Sequence, residues 1–339
     1  MVNPAEAPCL RIVFFGTPSF ATPSLQALIQ SQHEVVAVVS QPDRPRGRGH
    51  ELQATPTRQL ADANGISVIQ PLKVRDEAFL QSIRDLHPDL GVVVAFGRIL
   101  PDALLAIPRL GMINVHASIL PRYRGAAPIQ RAVLAGDAET GVTIMRVATE
   151  LDAGPTFSVG TVPIPADATS GAIEAVLAQL GAALLLPVVD DLAAGRAIET
   201  PQDHSRATLA PKIVKAEGAI DWTQPADVVH NQVRGLQPWP LASGQLGGSR
   251  VVLRRTAGVP GGLPALQSST EPGHDGSTPG GTAASPGTIL RAAGDELVVA
   301  CGGNTALRII ELQPEGRRTM TAREFLAGRG AVAGVRFDT

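Results

Sequence analysis

Five short apolar runs, at residues 10 to 15, 34 to 40, 66 to 70, 90 to 96 and 111 to 117, restrict this chain to a narrow set of folds. Each is β-branched or continuously apolar, as a strand buried on both faces has to be. Between them, residues 19 to 31, 56 to 64 and 76 to 86 read as helices. Strand, helix and strand in repetition give a parallel sheet, because parallel neighbours can be joined only by a long crossover, and that crossover is right-handed. Two further strands are expected at 142 to 148 and 157 to 164, then a helix from about 169 to 193.

Ligands of open α/β sheets bind beyond the carboxyl ends of the strands. After the first run stands Gly16-Thr17-Pro18, with one glycine and a proline where a dinucleotide-binding turn needs several glycines; NAD is therefore disfavoured. No GxxxxGK[ST] loop is present either, so ATP hydrolysis is not expected. The fifth run ends in Asn114-Val115-His116. Alternate side chains of a strand share a face, so Asn114 and His116 point one way and Val115 the other. An amide beside an imidazole suits acyl transfer. The amide donates to a carbonyl oxygen that becomes an oxyanion, and the imidazole donates to the same oxygen or relays a proton from an attacking amine. The plainer reading, preferred for an isolated Asn-x-His, is a strand end that satisfies turn backbone. Asp152, in Leu151-Asp152-Ala153-Gly154-Pro155, likewise reads as a carboxylate that supports a histidine or as a turn residue bonding its own backbone.

Beyond residue 206 the character changes. Through Arg206 there are 16 Lys and Arg against 20 Asp and Glu, and after it 13 against 11, a mildly basic balance that permits an RNA partner without demanding one. Residues 200 to 212 read as a surface linker, and Lys212 to Leu236 as a helical stretch. Residues 245 to 255, 287 to 292, 296 to 301 and 306 to 312 read as short strands, which suits a small β-barrel. The Gly/Pro/Ser/Thr run at 258 to 287 has too little apolar content to offset its ordering entropy and is expected to be a flexible loop. Trp222 and Trp239 could stack bases, but their apolar and proline neighbours favour anchoring the second domain's core and its junction with the first. Cys9 and Cys301 form no CxxC pair and indicate neither a disulfide framework nor a zinc site. No apolar run reaches the roughly 18 residues that span a membrane, and the first ten residues lack a signal core. A cytoplasmic protein without membrane contact is expected, and a monomer.

Residues 114 to 125 resemble the signature of the folate-dependent formyltransferases, and the resemblance covers nearly the whole chain. Matching stretches are Phe14-Phe15-Gly16-Thr17-Pro18-Ser19-Phe20, Gln41-Pro42-Asp43-Arg44-Pro45 with Gly47-Arg48-Gly49, Gly125-Ala126-Ala127-Pro128-Ile129-Gln130, and residues 136 to 145. Leu151-Asp152-Ala153-Gly154, Ile220-Asp221-Trp222 and Pro238-Trp239-Pro240 follow in the family's order. The resemblance implies a Rossmann-like, mainly parallel sheet of the formyltransferase fold over residues 1 to 199, the linker at 200 to 212, and an OB-like β-barrel that binds tRNA over 213 to 339. It implies that Asn114, His116 and Asp152 are the catalytic trio and that Ser118, Ile119, Leu120 and Pro121 bind folate. Arg44, Arg46 and Arg48, by themselves a solvated loop, are by resemblance contacts to a tRNA acceptor stem. The implied formyl donor is 10-formyltetrahydrofolate, with no metal, and the implied acceptor is the α-amine of methionyl-initiator tRNA. Two alternatives stay open: a small amine acceptor, such as an amino sugar or glycinamide ribonucleotide, and a folate-responsive RNA-binding protein without turnover. Ile119 stands where the family usually has leucine, an exchange of equal volume. Glu150, where many members have glycine, adds a negative charge two residues from Asp152.

Overall fold

The computed structural model describes residues 8–46, 51–259, 284–328 and 333–338. The chain divides into two compact units, the first formed by Met1–Ile129, Glu139–Pro163 and Ala172–Lys212, the second by Gln130–Ala138, Ile164–Gly171 and Ile213–Thr339. Up to Lys212 the elements are β1 (Arg11–Gly16), α1 (Thr22–Ile29), β2 (Glu34–Val39), β3 (Arg44–Arg46), β4 (Glu51–Gln53), α2 (Pro56–Ala63), β5 (Val68–Ile69), α3 (Glu77–Arg84), β6 (Leu90–Val94) and α4 (Asp102–Leu105). They continue as β7 (Met112–His116), β8 (Arg124–Gly125), α5 (Pro128–Ala135), β9 (Glu139–Arg146), β10 (Thr156–Pro163), α6 (Ser170–Ala193) and β11 (Leu209–Ala210).

Seven strands form one sheet in the order β10-β9-β7-β6-β1-β2-β5. The five from β5 to β7 are parallel, as their two-sided apolar character requires. β9 and β10 extend the sheet as an antiparallel edge. The helices start where local chemistry dictates. Thr55 caps Arg58 N ahead of Pro56, and the Asp76 carboxylate accepts from Ala78 N. On one face Phe15, Phe79, Leu80, Ile83, Phe96, Leu104 and Met112 form a single core, with the Phe15 and Phe96 rings edge to face at 5.6 Å.

Over the other face lies α6, which meets Val115 and Val142 at Gly181. The expectation that no segment reaches membrane-spanning length needs correction here. This helix of 24 residues, with a mean hydropathy of 2.0, is long and apolar enough by length and composition. Here Ile173, Leu177, Leu185 and Val189 are buried in the protein instead. Glu174 and Gln179 interrupt the apolar run, so it is not seen as continuous.

The second unit contains α7 (Ala226–Gly235), β12 (Ser243–Leu246), β13 (Ser249–Gly258), β14 (Ile289–Ala293), β15 (Glu296–Cys301), β16 (Thr305–Pro314), β17 (Met320–Thr321), α8 (Ala322–Ala327) and β18 (Phe337–Asp338). Its antiparallel sheet, ordered β14-β15-β16-β13-β12-β18, curls into the expected barrel-like form. An isolated bridge between Thr288 and Arg336 links its two ends, and Phe337 N donates to Gly287 O at 2.9 Å. Two expectations change. The helical stretch from Lys212 is confined to Ala226–Gly235, because Pro225 starts the helix and Ile220 and Trp222 enter the core from the segment before it. Trp222 is fully buried against Phe337, at 5.0 Å between ring centroids, but Trp239 is 55% exposed and anchors no core. The expected flexible loop falls largely on residues 260–283, which lie outside the described residues.

α8 opens with a capping box that sets a pH dependence. The Glu324 carboxylate accepts from Thr321 N at 2.8 Å, from Arg318 Nη2 at 2.6 Å and from Thr321 Oγ1 at 3.1 Å. These donors, the Thr321 N–H foremost, hold the Glu324 carboxyl down to about 2. A depressed carboxyl stabilises the fold above its ordinary range and loses that contribution as pH falls through the folded value. The Glu324 carboxyl resonance should therefore titrate near 2 in the folded protein, with α8 loosening over the same range. A midpoint in the ordinary glutamate range would contradict the capping role.

Candidate active site

β7 leaves the sheet with Asn114 and His116 on the face opposite α6, as strand alternation requires. His116 is 5% exposed. Its Nε2 lies 3.0 Å from Tyr123 O, and since a carbonyl only accepts, this nitrogen carries the proton. Nδ1 lies 3.7 Å from Asp152 Oδ2, longer than a direct hydrogen bond and within ion-pair reach when the ring is protonated. Asn114 is half-buried, and no side chain among the described residues holds its amide, which leaves the NH2 donors available. The structure thus brings Asn114, His116 and Asp152 to one place.

Asp152 arrives by a route that strand order alone does not give. β9 runs antiparallel to β7, pairing Thr143 with His116 and Arg146 with Ile113, so it ends at the amino end of β7. The loop after it must fold back over the sheet to reach His116. Gly154 makes that reversal possible: a Cβ there would lie 2.0 Å from Arg146 O. Asp152 itself takes a left-handed φ of 50°, a conformation that costs a non-glycine residue roughly 1–3 kcal/mol and persists only when its surroundings hold it.

Several groups do hold it. Gly125 N donates to Asp152 Oδ2 at 2.8 Å. Gln202 Nε2 donates to Asp152 O at 2.9 Å and to Gly154 O at 2.7 Å. Gln202 Oε1 accepts from Arg124 Nε at 3.2 Å and Nη2 at 2.7 Å. Residues 200 to 212, read from sequence as a passing linker, therefore build the site. β11 pairs in parallel with β8, and Gly125, with φ at 123°, lies so close to Ala210 that a Cβ would meet Ala210 O at 2.8 Å. Gln202 carries no sequence signal beyond a proline-flanked polar stretch, which is why pattern reading overlooks it.

The loop at 118–121 is held from inside. Thr143 Oγ1 donates to Ser118 O at 2.7 Å and accepts from Leu120 N at 3.1 Å, while Ser118 Oγ donates to Arg122 O at 2.6 Å. Ser118 and Leu120 are buried, and Ile119 and Pro121 are half-buried. The extra charge of Glu150 meets a partner, because its Oε1 lies 3.6 Å from Arg124 Nη1. Arg44 and Arg46 lie in β3, paired with β4 beyond the carboxyl end of β2; Arg48 lies outside the described residues. β2 is three strands from β7, about 14 Å at the usual spacing. The root of this hairpin is fixed by Asp43, which accepts from Arg58 and from Gln70 Nε2. Among the described residues no group of His, Cys, Asp or Glu is arranged to hold a metal ion.

Residues 10–189 match the family described as formyl transferase, and residues 212–330 match its C-terminal domain. The chain is 46% identical over 317 residues to the methionyl-tRNA formyltransferase of Pelobacter propionicus, covering 94% of this chain and 92% of that protein. It is 45% identical over 330 residues to that of Methylococcus capsulatus, covering 97% and 100%. An N-formyltransferase from Helicobacter canadensis, solved with folinic acid and dTDP-3-aminofucose, has a TM-score of 0.65 at 14% identity, over 88% of this chain and 98% of that one. HypX from Aquifex aeolicus, in complex with tetrahydrofolic acid, has a TM-score of 0.61 at 17% identity, over 95% of this chain and 48% of that one. At those identities the two structures speak for the fold alone.

Proposed function

Because the chain belongs to the formyl transferase family, we propose that Asn114, His116 and Asp152 transfer the formyl group of 10-formyltetrahydrofolate to the α-amine of methionyl-initiator tRNA. The activity itself, formyl transfer to initiator methionyl-tRNA, follows from relatives of that name covering 94% of the chain or more. The observation that carries the residue assignment is the convergence on His116 of a carboxylate from the far side of β9 and an unoccupied amide from its own strand.

The neutral amine attacks the formyl carbon, forming the new C–N bond and leaving the formyl oxygen anionic. The Asn114 amide and the His116 Nε2–H donate to that oxygen, the latter exchanging Tyr123 O for it. The amine's proton passes to the His116–Asp152 pair, the bond to folate N10 breaks, and N10 leaves with a proton. One oxyanion donor contributes about 2.7–4 kcal/mol and positioned proton transfer roughly 10² to 10⁴ in rate, enough for an already activated acyl donor. No step calls for a metal or a covalent intermediate. Ile119 and Pro121 face outward enough to meet folate, with Ser118 and Leu120 shaping the loop behind them. The protein is read as a cytoplasmic monomer.

Incubation with 10-formyltetrahydrofolate and either charged initiator tRNA or small amines tests this reading. Formylation of amino sugars or glycinamide ribonucleotide alone, or binding of tRNA without turnover, would refute it. Neutralising Arg44, Arg46 and Arg48 together should weaken tRNA binding and flatten its salt dependence, because each lost phosphate contact removes about 0.7–0.9 from the log-log slope. Folate binding should persist, since the folate segment lies on another loop. An unchanged salt slope would return these arginines to plain solvation.

A further inference from the structure

We propose that Gln202 and Arg124 form a buried clamp that positions Asp152 for catalysis. The inference rests on the trio assigned above. Gln202 is 8% exposed and Arg124 5% exposed, and their polar groups are turned to protein partners. Both act on what surrounds Asp152.

The bonding capacity of the Gln202 amide is fully used. Its two N–H groups point at Asp152 O and Gly154 O, and its oxygen takes both an Nε–H and an Nη–H of Arg124. The orientation is unambiguous, since a reversed amide would set carbonyl against carbonyl and N–H against guanidinium. Arg124 is joined in turn to Gly125, whose N–H holds the Asp152 carboxylate at 2.8 Å. One side chain thus secures Asp152 from two directions, its backbone directly and its carboxylate through β8. Asp152 needs both, because its left-handed backbone is unfavourable unless held and its carboxylate, at 3.7 Å from His116 Nδ1, has no direct hydrogen bond to the imidazole itself.

The neighbours of the guanidinium fit the same purpose. Its Nη2 lies 3.3 Å from His204 Nδ1 and its Nη1 3.6 Å from Glu150. Glutamine is the required residue by this reasoning. Glutamate would keep the acceptor for Arg124 but turn a carboxylate toward two carbonyls, and methionine would match the volume without any bond.

Gln202→Glu and Gln202→Met separate positioning from mere support. Single-turnover formyl transfer, measured with both substrates saturating, should fall about 10- to 100-fold, the loss typical of a reacting group misplaced by an ångström. The Kd for folate should stay close to wild type, while the thermal midpoint should fall because two carbonyls lose their donors, so rates are compared on the folded fraction. In an Asp152→Ala background either substitution should cause little further loss, because the group being positioned is gone. Wild-type rates in both folded Gln202 variants would overturn the clamp, as would rate losses that multiply in the double variants or that track an equal loss of folate binding. A fully active Asp152→Ala variant would remove the trio itself, and the clamp with it, so the two failures are told apart. If Gln202→Glu does not fold, Gln202→Met carries the same comparison.

Discussion

His116→Ala should lower single-turnover formyl transfer by roughly 10² to 10⁴ and leave the chain folded. The imidazole is 5% exposed at the last position of β7, with one hydrogen bond, from Nε2 to Tyr123 O. Removing it takes the imidazole donor away from that carbonyl at a cost of up to about 1–3 kcal/mol, which a protein of this size tolerates. Chemistry should lose far more, because in the proposed mechanism the same N–H donates to the developing oxyanion and the ring, paired with Asp152, takes up the amine's proton. Asn114→Ala and Asp152→Ala should act on the same step, so their losses should not multiply with that of His116→Ala. Rapid-quench measurements under saturating conditions test this. Near wild-type rates in either the Asn114 or the His116 variant would remove the mechanism.

The second large effect belongs to a residue with no functional group. Gly154→Ala puts a methyl carbon 2.0 Å from Arg146 O, a backbone atom that cannot swing aside. The loop must move by about an ångström to accept it, and Asp152 lies two residues upstream on the same tight reversal. Displacement on that scale costs around 10² in rate even when the chemical groups survive. Stability should fall as well, by roughly 1–3 kcal/mol. The two losses differ in origin, so the folded fraction must be measured beside the rate. A folded Gly154→Ala variant with undiminished turnover would show that the placement of Asp152 does not matter.

The parallel sheet was legible because its signal is local. A run such as residues 90 to 96 shows its burial by composition alone, and helices fill the spaces that crossovers need. Asn114 and His116 were legible for the same reason, since a period of two puts them on one face whatever surrounds the strand. Trp239 misled because flanking prolines and apolar neighbours look alike beside a core and on a surface; only packing shows it 55% exposed. Gln202 was invisible because one buried amide in a polar connection leaves no period to detect.

The sequence by itself determined which chemistry the chain could carry and where the first two groups would stand. Composition, alternation and the order of motifs are set within a few residues, and tertiary contacts do not revise them. Only the tertiary structure decided that Asp152 meets His116, that β9 reverses direction to make this necessary, and that Gln202 and Arg124 hold the result. Those contacts join residues 27, 50 and 78 positions apart. The physical reason is that such contacts form between loops, whose paths follow from hydrogen bonds to distant backbone and not from any preference of their own residues.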